Sequence, residues 1–397
     1  MHIGINAQLL SFSQNYRNGG VSRYIRYLLA GLAKQPGKHE YTVFVNGQDV
    51  IDHLAQHPQI TYLSAPWPEA RPTARIAWEQ FSLPGLIRQR HIDVLHSPVN
   101  VRPEWLPQDC ATIVTLHDLA FLRYPDVLTR AKRLYHQTFT IRSLRRATMI
   151  ITVSDSTKRD AHDLVGISLD RLQTVYPCID ERFSNVIEED KIQAFREQKG
   201  LTDGFLLYLG TLEPRKNILT LLDAYALLRQ KYKIREKLVL AGGKGWLYES
   251  IFEKVQQLGL ESEVIFPGFV TDAEQTFWYY AASVFAYPSL YEGFGIPIAE
   301  AIACGTPVVT SNVSSLPEAG AHIALCVDPH GVDALSDAFY RTLTDHAFRE
   351  NCRLLAPSVT QQFSVGTMVE QTIAVYEQAT ALHALSKRSH HRLSTVS

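Results

Sequence analysis

Cysteine is scarce in this chain, and the five cysteines stand at positions 110, 178, 304, 326 and 352 without a paired spacing. The absence of a Cys-x-x-Cys pair or a histidine cluster argues against a zinc site, and the odd, sparse count argues against a disulfide framework. Such cysteine usage is typical of a protein that stays in a reducing compartment.

Strong net charge and long apolar runs are also missing. The formal net charge is −1 over 397 residues, which argues against nucleic-acid binding through a broadly basic surface. No apolar run is long enough for a membrane-spanning helix, and the first residues, MHIGINAQLL, lack a basic region followed by a long apolar stretch. We therefore expect a cytoplasmic protein.

The sequence does contain the alternation of strand and helix patterns that is typical of two parallel α/β domains. Short β-branched runs such as HIGINA, YTVFVN and ATIVTL alternate with amphipathic stretches such as VSRYIRYLLAGLAKQ, and the alternation restarts at FLLYLG. A charged, polar segment, residues 180–204, separates the two halves. We place the boundary at residue 182, so that one domain covers residues 1–182 and the second begins at residue 183.

The stretch YPSLYEGFGIPIAEAIACGTPVVTSN carries two glutamates, Glu292 and Glu300, with seven residues between them. We expect the first to lie in the loop after a strand, and the second about one turn inside a helix that begins near Ile296. A glycine-rich loop before a helix N-terminus is an anion site, and carboxylates beside it accept hydrogen bonds from hydroxyl groups. These groups suit a sugar joined to a phosphate or a nucleotide. Alternatively, Glu292 is a helix-entry carboxylate and Glu300 a solvated helix residue.

This stretch resembles the motif of two glutamates seven residues apart in family 4 of the retaining nucleotide-sugar glycosyltransferases, most closely in bacterial polysaccharide mannosyltransferases. The similarity extends from GGVSRYI to EQTIAVYEQA. It implies an α/β chain of the GT-B fold, in which two Rossmann-like domains face an interdomain cleft. It also implies an N-terminal acceptor domain, a donor domain over residues 183–377, and a C-terminal helix at about 378–397 that packs back on the N-terminal domain.

A basic pair, Arg215 and Lys216, follows the first strand of the second domain in YLGTLEPRKNI. Two cations beside a helix N-terminus favour a diphosphate at this place, and the resemblance implies that the pair neutralises the leaving diphosphate. Many members of the family carry arginine directly after the glycine, where this chain has Thr211. We therefore expect Arg215 to supply the guanidinium group that this arginine provides in those members. The alternative is a solvated turn.

Strand-end loops supply the other donor contacts that the resemblance implies. Glycine loops after strands of the second domain suit a base and a ribose, and the loop NYRNGGVSRYI of the first domain suits the diphosphate. The alternatives are turn glycines without a ligand and an ordinary helix start. Glu292 is assigned to the sugar hydroxyls and Glu300 to the ribose hydroxyls. The donor-binding group as a whole is Gly20, Gly243, Lys244, Val270, Gly293, Phe294, Gly295, Ile296 and Glu300.

Two histidines follow predicted strands of the first domain. His117, in VTLHDLAFLRYP, matches the place where the family contacts the donor sugar near the reacting carbon, so it joins Arg215, Lys216 and Glu292 as a catalytic residue. Asp118 beside it and His96 in VLHSPVN are assigned to the acceptor pocket. For His96 a structural role is an equal alternative.

The chain contains no Asp-x-Asp, the carboxylate pair that usually holds a sugar nucleotide through a divalent ion. We therefore expect neither a metal nor another cofactor, and stabilisation of the diphosphate by cations and helix N-termini instead. The stretch 129–151 has six arginines and lysines, no acid and a helical pattern. It favours contact with anionic lipid at the inner membrane face, where lipid-linked acceptors reside, or else forms a solvated basic face.

The function predicted from these observations is transfer of a hexose, with mannose from GDP-mannose as the first choice, to a hydroxyl of a glycan or lipid-linked acceptor. The resemblance implies retention of configuration. A UDP-hexose-dependent transferase, a sugar-nucleotide epimerase of the same fold and an inactive nucleotide-sugar binding module are the alternatives. A dehydrogenase is disfavoured because no strand is followed by a complete Gly-x-Gly-x-x-Gly.

Overall fold

The computed structural model describes residues 1–12, 19–65, 72–125, 130–245 and 247–394. The chain divides into two compact units, Met1–Cys178 together with Val365–Ser397, and Ile179–Ser364. Each unit is built on one sheet.

The first unit has a seven-stranded sheet with the strand order β3-β2-β1-β4-β5-β6-β7. All of its pairings are parallel. The strands are β1 (His2–Asn6), β2 (Glu40–Asn46), β3 (Ile60–Ala65), β4 (Val94–Ser97), β5 (Ala111–Leu116), β6 (Met149–Thr152) and β7 (Leu172–Thr174). The helices between them are α1 (Gly20–Lys34), α2 (Gln48–Asp52), α3 (Pro72–Phe81), α4 (Leu83–Gln89), α5 (Ala120–Arg123), α6 (Arg130–Tyr135), α7 (Ile141–Arg146) and α8 (Asp155–Val165).

The second unit has a six-stranded sheet with the order β10-β9-β8-β11-β12-β13, again with parallel pairings. Its strands are β8 (Phe205–Leu209), β9 (Lys237–Ala241), β10 (Val264–Gly268), β11 (Val284–Tyr287), β12 (Val308–Ser311) and β13 (Leu325–Val327). Its helices are α9 (Glu189–Lys199), α10 (Ile218–Tyr232), α11 (Glu249–Gln257), α12 (Asp272–Ala281), α13 (Ile296–Ala303), α14 (Leu316–Ala319), α15 (Val332–Thr344) and α16 (His346–Gln362). Both strand orders are those of a Rossmann-like sheet, which confirms the predicted α/β class.

The last helix, α17 (Val365–Ser394), returns the chain to the first unit, where it packs on α1 and on β4, β5 and β6. The division therefore falls after residues 178 and 364, whereas the sequence placed it after residues 182 and 377. Met368, Val369 and Tyr376 explain the earlier return, because they are buried in the core of the first unit. A helix belongs to the unit that buries its apolar face.

Strand residues of the first sheet are buried on both faces. Ile3 and Ile5 pack in the same cluster as Tyr24 of α1 and Tyr376 of α17. Phe44, whose side chain points to the opposite face from Val43, packs with Trp78 of α3. Burial on both faces explains why these strands read as nearly continuous apolar runs.

The basic stretch 129–151 is not one regular helix. In its described residues, α6 passes into a π-helical segment, His136–Thr140, and then into α7, which ends at Arg146. Met149–Thr152 is already strand β6. The predicted helical pattern therefore holds only as far as Arg146.

Candidate active site

Four neighbouring strands of the second sheet carry the predicted donor residues at their carboxyl ends. In the order of the strands β8, β9, β10 and β11, the residues that follow them are Arg215 with Lys216, Gly243 with Lys244, Val270, and the loop from Glu292 to Ile296. The chain leaves β8 toward β9 on one side, and β11 lies on the other side of β8. Ligands of parallel α/β sheets bind at such a switch point, which here lies between the Arg215–Lys216 turn and the Glu292 loop.

An ion-pair cluster joins the two sides of this switch point. The carboxylate of Glu292 accepts from Lys216 Nζ at 2.5 Å and from Arg215 at 3.2 Å. The Arg215 guanidinium also donates to Glu213 at 3.0 Å and to the Tyr291 carbonyl at 2.9 Å. The hydroxyl of Tyr287 accepts from Lys216 Nζ at 2.9 Å. The cations predicted for the diphosphate and the carboxylate predicted for the sugar are therefore in direct contact.

The electrostatics of the cluster fix the charge of Glu292. Its side chain is only 8% exposed, and burial alone would raise the pKa of its carboxyl. Lys216 and Arg215 outweigh burial and lower this pKa from 4.5 to about 2. Glu292 is thus ionised at neutral pH. The cluster contains two carboxylates, those of Glu213 and Glu292, and two cations, so its formal charges balance. A bound diphosphate would therefore make the site net negative.

The loop before α13 is held in a shape that only glycine tolerates. Gly295 has a φ of +104°, and a Cβ there would lie 3.2 Å from Leu316. Ser315 Oγ lies 2.9 Å from the carbonyl oxygens of both Glu292 and Phe294, and its single proton is shared between them. The helix begins at Ile296, as predicted, so its first N–H groups follow directly on this fixed loop.

Glu300 is buried inside α13, four per cent exposed, and not solvated. Its Oε2 accepts from the amide of Gln275 and from the hydroxyl of Tyr279, both at 2.9 Å. Arg182 donates in turn to Gln275 Oε1 at 2.9 Å, which orients the amide toward the carboxylate. The sequence did not single out Gln275, Tyr279 or Arg182, because their types and spacing are those of ordinary helix and loop residues.

The glycine loops after β9 and β10 lie at the same edge of the sheet. Gly242 has a φ of +141°, and a Cβ there would collide with the Gly210 carbonyl, so the β8 and β9 loops approach closely. Gly243 and Lys244 are exposed, and Lys244 Nζ lies 4.9 Å from the centroid of the Tyr248 ring. Val270 is half-buried beside the exposed Phe269. This edge offers backbone groups and aromatic faces, as a base would require.

His117 lies directly after β5 in the first unit. Its Nε2 is 3.0 Å from the carbonyl of Pro98, and because a carbonyl only accepts, the proton is assigned to Nε2. Burial lowers the pKa of His117, against the opposing effects of the Pro98 carbonyl and Asp118. The Asn100 side chain accepts from the His117 backbone N–H at 2.8 Å. The ring is therefore held neutral in one orientation.

Gly20 and Asp118 lie where the sequence placed them. Gly20 is the first residue of α1, is exposed, and has open space at its Cβ position. The Asp118 carboxylate accepts from the Ala120 N–H at 3.0 Å and so closes the turn into α5.

His96 differs from its prediction, because it lies inside β4 and not after it. It is 0% exposed, and both ring nitrogens are hydrogen-bonded at 2.8 Å, to Tyr376 and to Thr115. Burial lowers its pKa from 6.5 to about 3, so the ring is neutral. These contacts tie α17 to the sheet and match the structural alternative better than the acceptor pocket.

Metal sites and membrane-spanning helices can be searched for only in the described residues. Among these residues, His, Cys, Asp and Glu side chains do not form groups of three or more that could hold a metal ion. The helices described are also too short or too polar to span a bilayer.

Comparison with known proteins agrees with this architecture. The profile described as Glycosyl transferases group 1 matches residues 189–357, and that of Glycosyltransferase Family 4 matches residues 18–183. O-antigen chain mannosyltransferase B of Escherichia coli is 34% identical over 284 residues, which cover 72% of this chain and 74% of the relative.

Two solved structures share the fold at low identity. Sucrose-phosphate synthase of Thermosynechococcus elongatus is 22% identical with a TM-score of 0.74, covering 96% of this chain and 99% of that one. HepE of Anabaena, in complex with UDP and glucose, is 18% identical with a TM-score of 0.68, covering 95% and 100%. With both halves matched and a relative at this identity, the chain belongs to the glycosyltransferases of group 1 and family 4, with two Rossmann-like domains of the GT-B type.

Proposed function

We propose that the protein transfers mannose from GDP-mannose to a hydroxyl of a glycan or lipid-linked acceptor, with retention of anomeric configuration and without a metal ion. The contact of Arg215 and Lys216 with Glu292 at the switch point of the second sheet is the observation that supports this most. The similarity to a mannosyltransferase supports the choice of sugar.

The chemistry follows from the charges. The bond from the sugar C1 to the diphosphate oxygen breaks, positive charge develops on the ring, and negative charge develops on the diphosphate. Lys216 and Arg215 stabilise the leaving diphosphate together with the first N–H groups of α13. The acceptor oxygen bonds to C1 on the face that the diphosphate leaves, and the acceptor proton passes to a phosphate oxygen of the leaving group.

Carboxylates and backbone groups orient the donor. Glu300, fixed by Gln275 and Tyr279, accepts from the ribose hydroxyls, and Glu292 accepts from the sugar hydroxyls. The edge around Gly243, Lys244 and Val270 receives the base. His117, neutral and held by Pro98, contacts the sugar near C1, and Gly20 lets backbone approach the diphosphate.

The acceptor side carries the rest of the proposal. The first unit binds the acceptor, and the basic segment within residues 129–151 meets the inner membrane face, where a lipid-linked acceptor would be presented. The protein is then cytoplasmic and peripheral.

Thermal unfolding with candidate donors tests the function directly. GDP and GDP-mannose should raise the unfolding temperature, and UDP-glucose should raise it less. The Glu300→Ala variant should lose most of the shift, whereas a matched surface variant, Glu253→Ala, should keep it. Stabilisation by UDP-glucose alone would overturn the choice of donor, and no stabilisation by any nucleotide sugar would overturn the function.

Product analysis tests the remaining parts. With acceptor present, the anomeric configuration of the product should match that of the donor, and EDTA should leave the rate unchanged. Donor incubated without acceptor should keep its sugar, because epimerisation of the donor would point to the rival enzyme class.

A further inference from the structure

Two large aromatic side chains lie exposed and stacked on each other in the first unit. Phe81, at the end of α3, is 72% exposed, and Trp105, between β4 and β5, is 62% exposed. Their ring centroids are 5.3 Å apart with an angle of 29° between the planes. Exposed aromatic side chains in contact form an apolar patch, and such patches mark interaction sites more often than scattered apolar residues do.

Arginines are fixed beside this pair. Glu104, the neighbour of Trp105, accepts from Arg142 at 2.8 Å and from Arg146 at 2.5 Å. The side chain of Gln80, the neighbour of Phe81, accepts from the Glu104 N–H at 2.9 Å. These bonds tie the end of α3, the Trp105 loop and α7 into one surface.

The surface extends along the helical segment that carries the arginines. Arg142 and Arg146 lie four residues apart on α7 and therefore share one face of the helix. We name Phe81, Trp105, Arg142 and Arg146 the aromatic–arginine surface. Glu104 pairs with Arg142 and Arg146, so two cations and one acid leave this surface net positive, and Arg145 adds a further exposed cation next to it.

We propose that the aromatic–arginine surface binds an anionic lipid bilayer, with Phe81 and Trp105 inserted at the level of the headgroups. The proposal rests on the lipid-linked acceptor of the proposed function and names the residues that would meet the membrane. Aromatic rings prefer the boundary between headgroups and acyl chains, and the arginines beside them meet lipid phosphates.

Charge favours a bilayer over the other occupants of such a patch. A second copy of the chain would bring the same cations against these cations, which opposes self-association. A neutral glycan would stack on the rings but would gain little from Arg142 and Arg146. An anionic bilayer uses both the aromatic and the cationic parts.

Sedimentation of the full chain with vesicles tests the proposal. The chain should bind phosphatidylcholine vesicles that contain about one third phosphatidylglycerol, and should bind pure phosphatidylcholine at least about tenfold more weakly. Raising the salt from about 0.05 M to about 0.5 M should weaken binding about fivefold, because the charges are exposed. Binding that ignores both lipid charge and salt would overturn the proposal.

Matched variants identify the surface. Phe81→Ser combined with Trp105→Ser should lower the partition coefficient about tenfold or more, and Leu354→Ser, a residue 69% exposed on the second unit, should not. Arg145→Glu should also lower it about tenfold, whereas Arg235→Glu, exposed on the second unit, should not. Arg145→Glu keeps the test valid if the serine variant unfolds. Equal loss in the controls would contradict the assignment.

Two further measurements separate the rival occupants from the proposed function. A concentration-dependent dimer that Trp105→Ser abolishes, or quenching of Trp105 by a soluble oligosaccharide, would assign the surface to another partner and overturn the proposal.

Donor-induced thermal stabilisation is measured without vesicles. If the donor stabilises the chain and vesicles do not bind it, this inference fails and the proposed function stands. If vesicles bind and no nucleotide sugar stabilises the chain, the proposed function fails and the membrane-binding surface stands.

Discussion

The amide of Gln275 donates a hydrogen bond of 2.9 Å to Glu300 Oε2, the same oxygen that accepts from Tyr279 at 2.9 Å. Two donors on one oxygen of a buried carboxylate set the plane of the carboxylate and lock its rotamer. Arg182 in turn holds the Gln275 amide in place by donating a hydrogen bond to its oxygen. Glu300 is therefore positioned before any ligand arrives, and the cost of orienting it is already met in folding.

Removing these donors should weaken donor binding and leave turnover nearly intact. We expect Tyr279→Phe and Gln275→Leu each to raise the KM for the nucleotide sugar about tenfold, because each frees the carboxylate that we propose for the ribose hydroxyls. Glu300→Ala should raise the KM further. Steady-state kinetics with varied donor measures both parameters.

The matched control for this prediction is Tyr225→Phe. It removes an equally buried hydroxyl of the second unit, which donates to the Glu236 carbonyl at 2.9 Å and has no contact with Glu300. That variant should leave KM unchanged. A fall in kcat at constant KM in Tyr279→Phe would contradict the ribose assignment.

Lys216→Ala should act on the chemical step. We expect turnover to fall by roughly two to three powers of ten, because in the proposed mechanism the ammonium stabilises charge that appears on the leaving diphosphate. Lys216 also compensates Glu292, so thermal unfolding of the variant must be recorded with the rate. A variant that folds and turns over at the normal rate would remove Lys216 from the mechanism.

The parallel sheets and the edge that carries the predicted donor residues could be predicted from the sequence, because β-branched runs alternate with amphipathic stretches and glycine loops follow several runs of the second unit. The loop after β11 and the start of α13 at Ile296 are examples. The short strands β3, β7 and β13 were not predicted, since runs of three to six residues at a sheet edge carry little periodic signal.

Contacts between distant residues could not be predicted in the same way. The pairing of Arg215 with Glu292 joins residues 77 positions apart, and its geometry depends on which strands are neighbours in the sheet. The bond of His96 to Tyr376 spans 280 positions and depends on the return of α17. The pattern around His96 indicated a strand end, but not which ring atoms would find partners.

His96→Gln should lower stability without changing donor or acceptor kinetics. The unfolded histidine has a pKa of 6.5 and the folded one about 3, so the unfolded state takes up a proton first as the pH falls. The wild-type free energy of unfolding should therefore lose up to about 5 kcal/mol between pH 6.5 and 3 through this residue. The His96→Gln variant should lack this pH-dependent loss in the free energy of unfolding. The variant His53→Gln, which replaces an exposed histidine, should show the same loss as the wild type. A selective rise in the acceptor KM would instead restore the acceptor-pocket assignment.

Glu292→Gln should destabilise the second unit in a pH-dependent manner. The folded pKa of Glu292 is about 2 against an ordinary value of 4.5, so its ion pairs contribute fully above pH 4.5 and are lost as the pH falls to 2. The contribution is about 3 kcal/mol at neutral pH. Urea unfolding should show this gap between wild type and variant at pH 7, and the gap should close toward pH 2. The exposed carboxylate variant Glu253→Gln should show no such gap. A difference that stays constant from pH 7 to pH 2 would mean that Glu292 acts through packing and not through its charge.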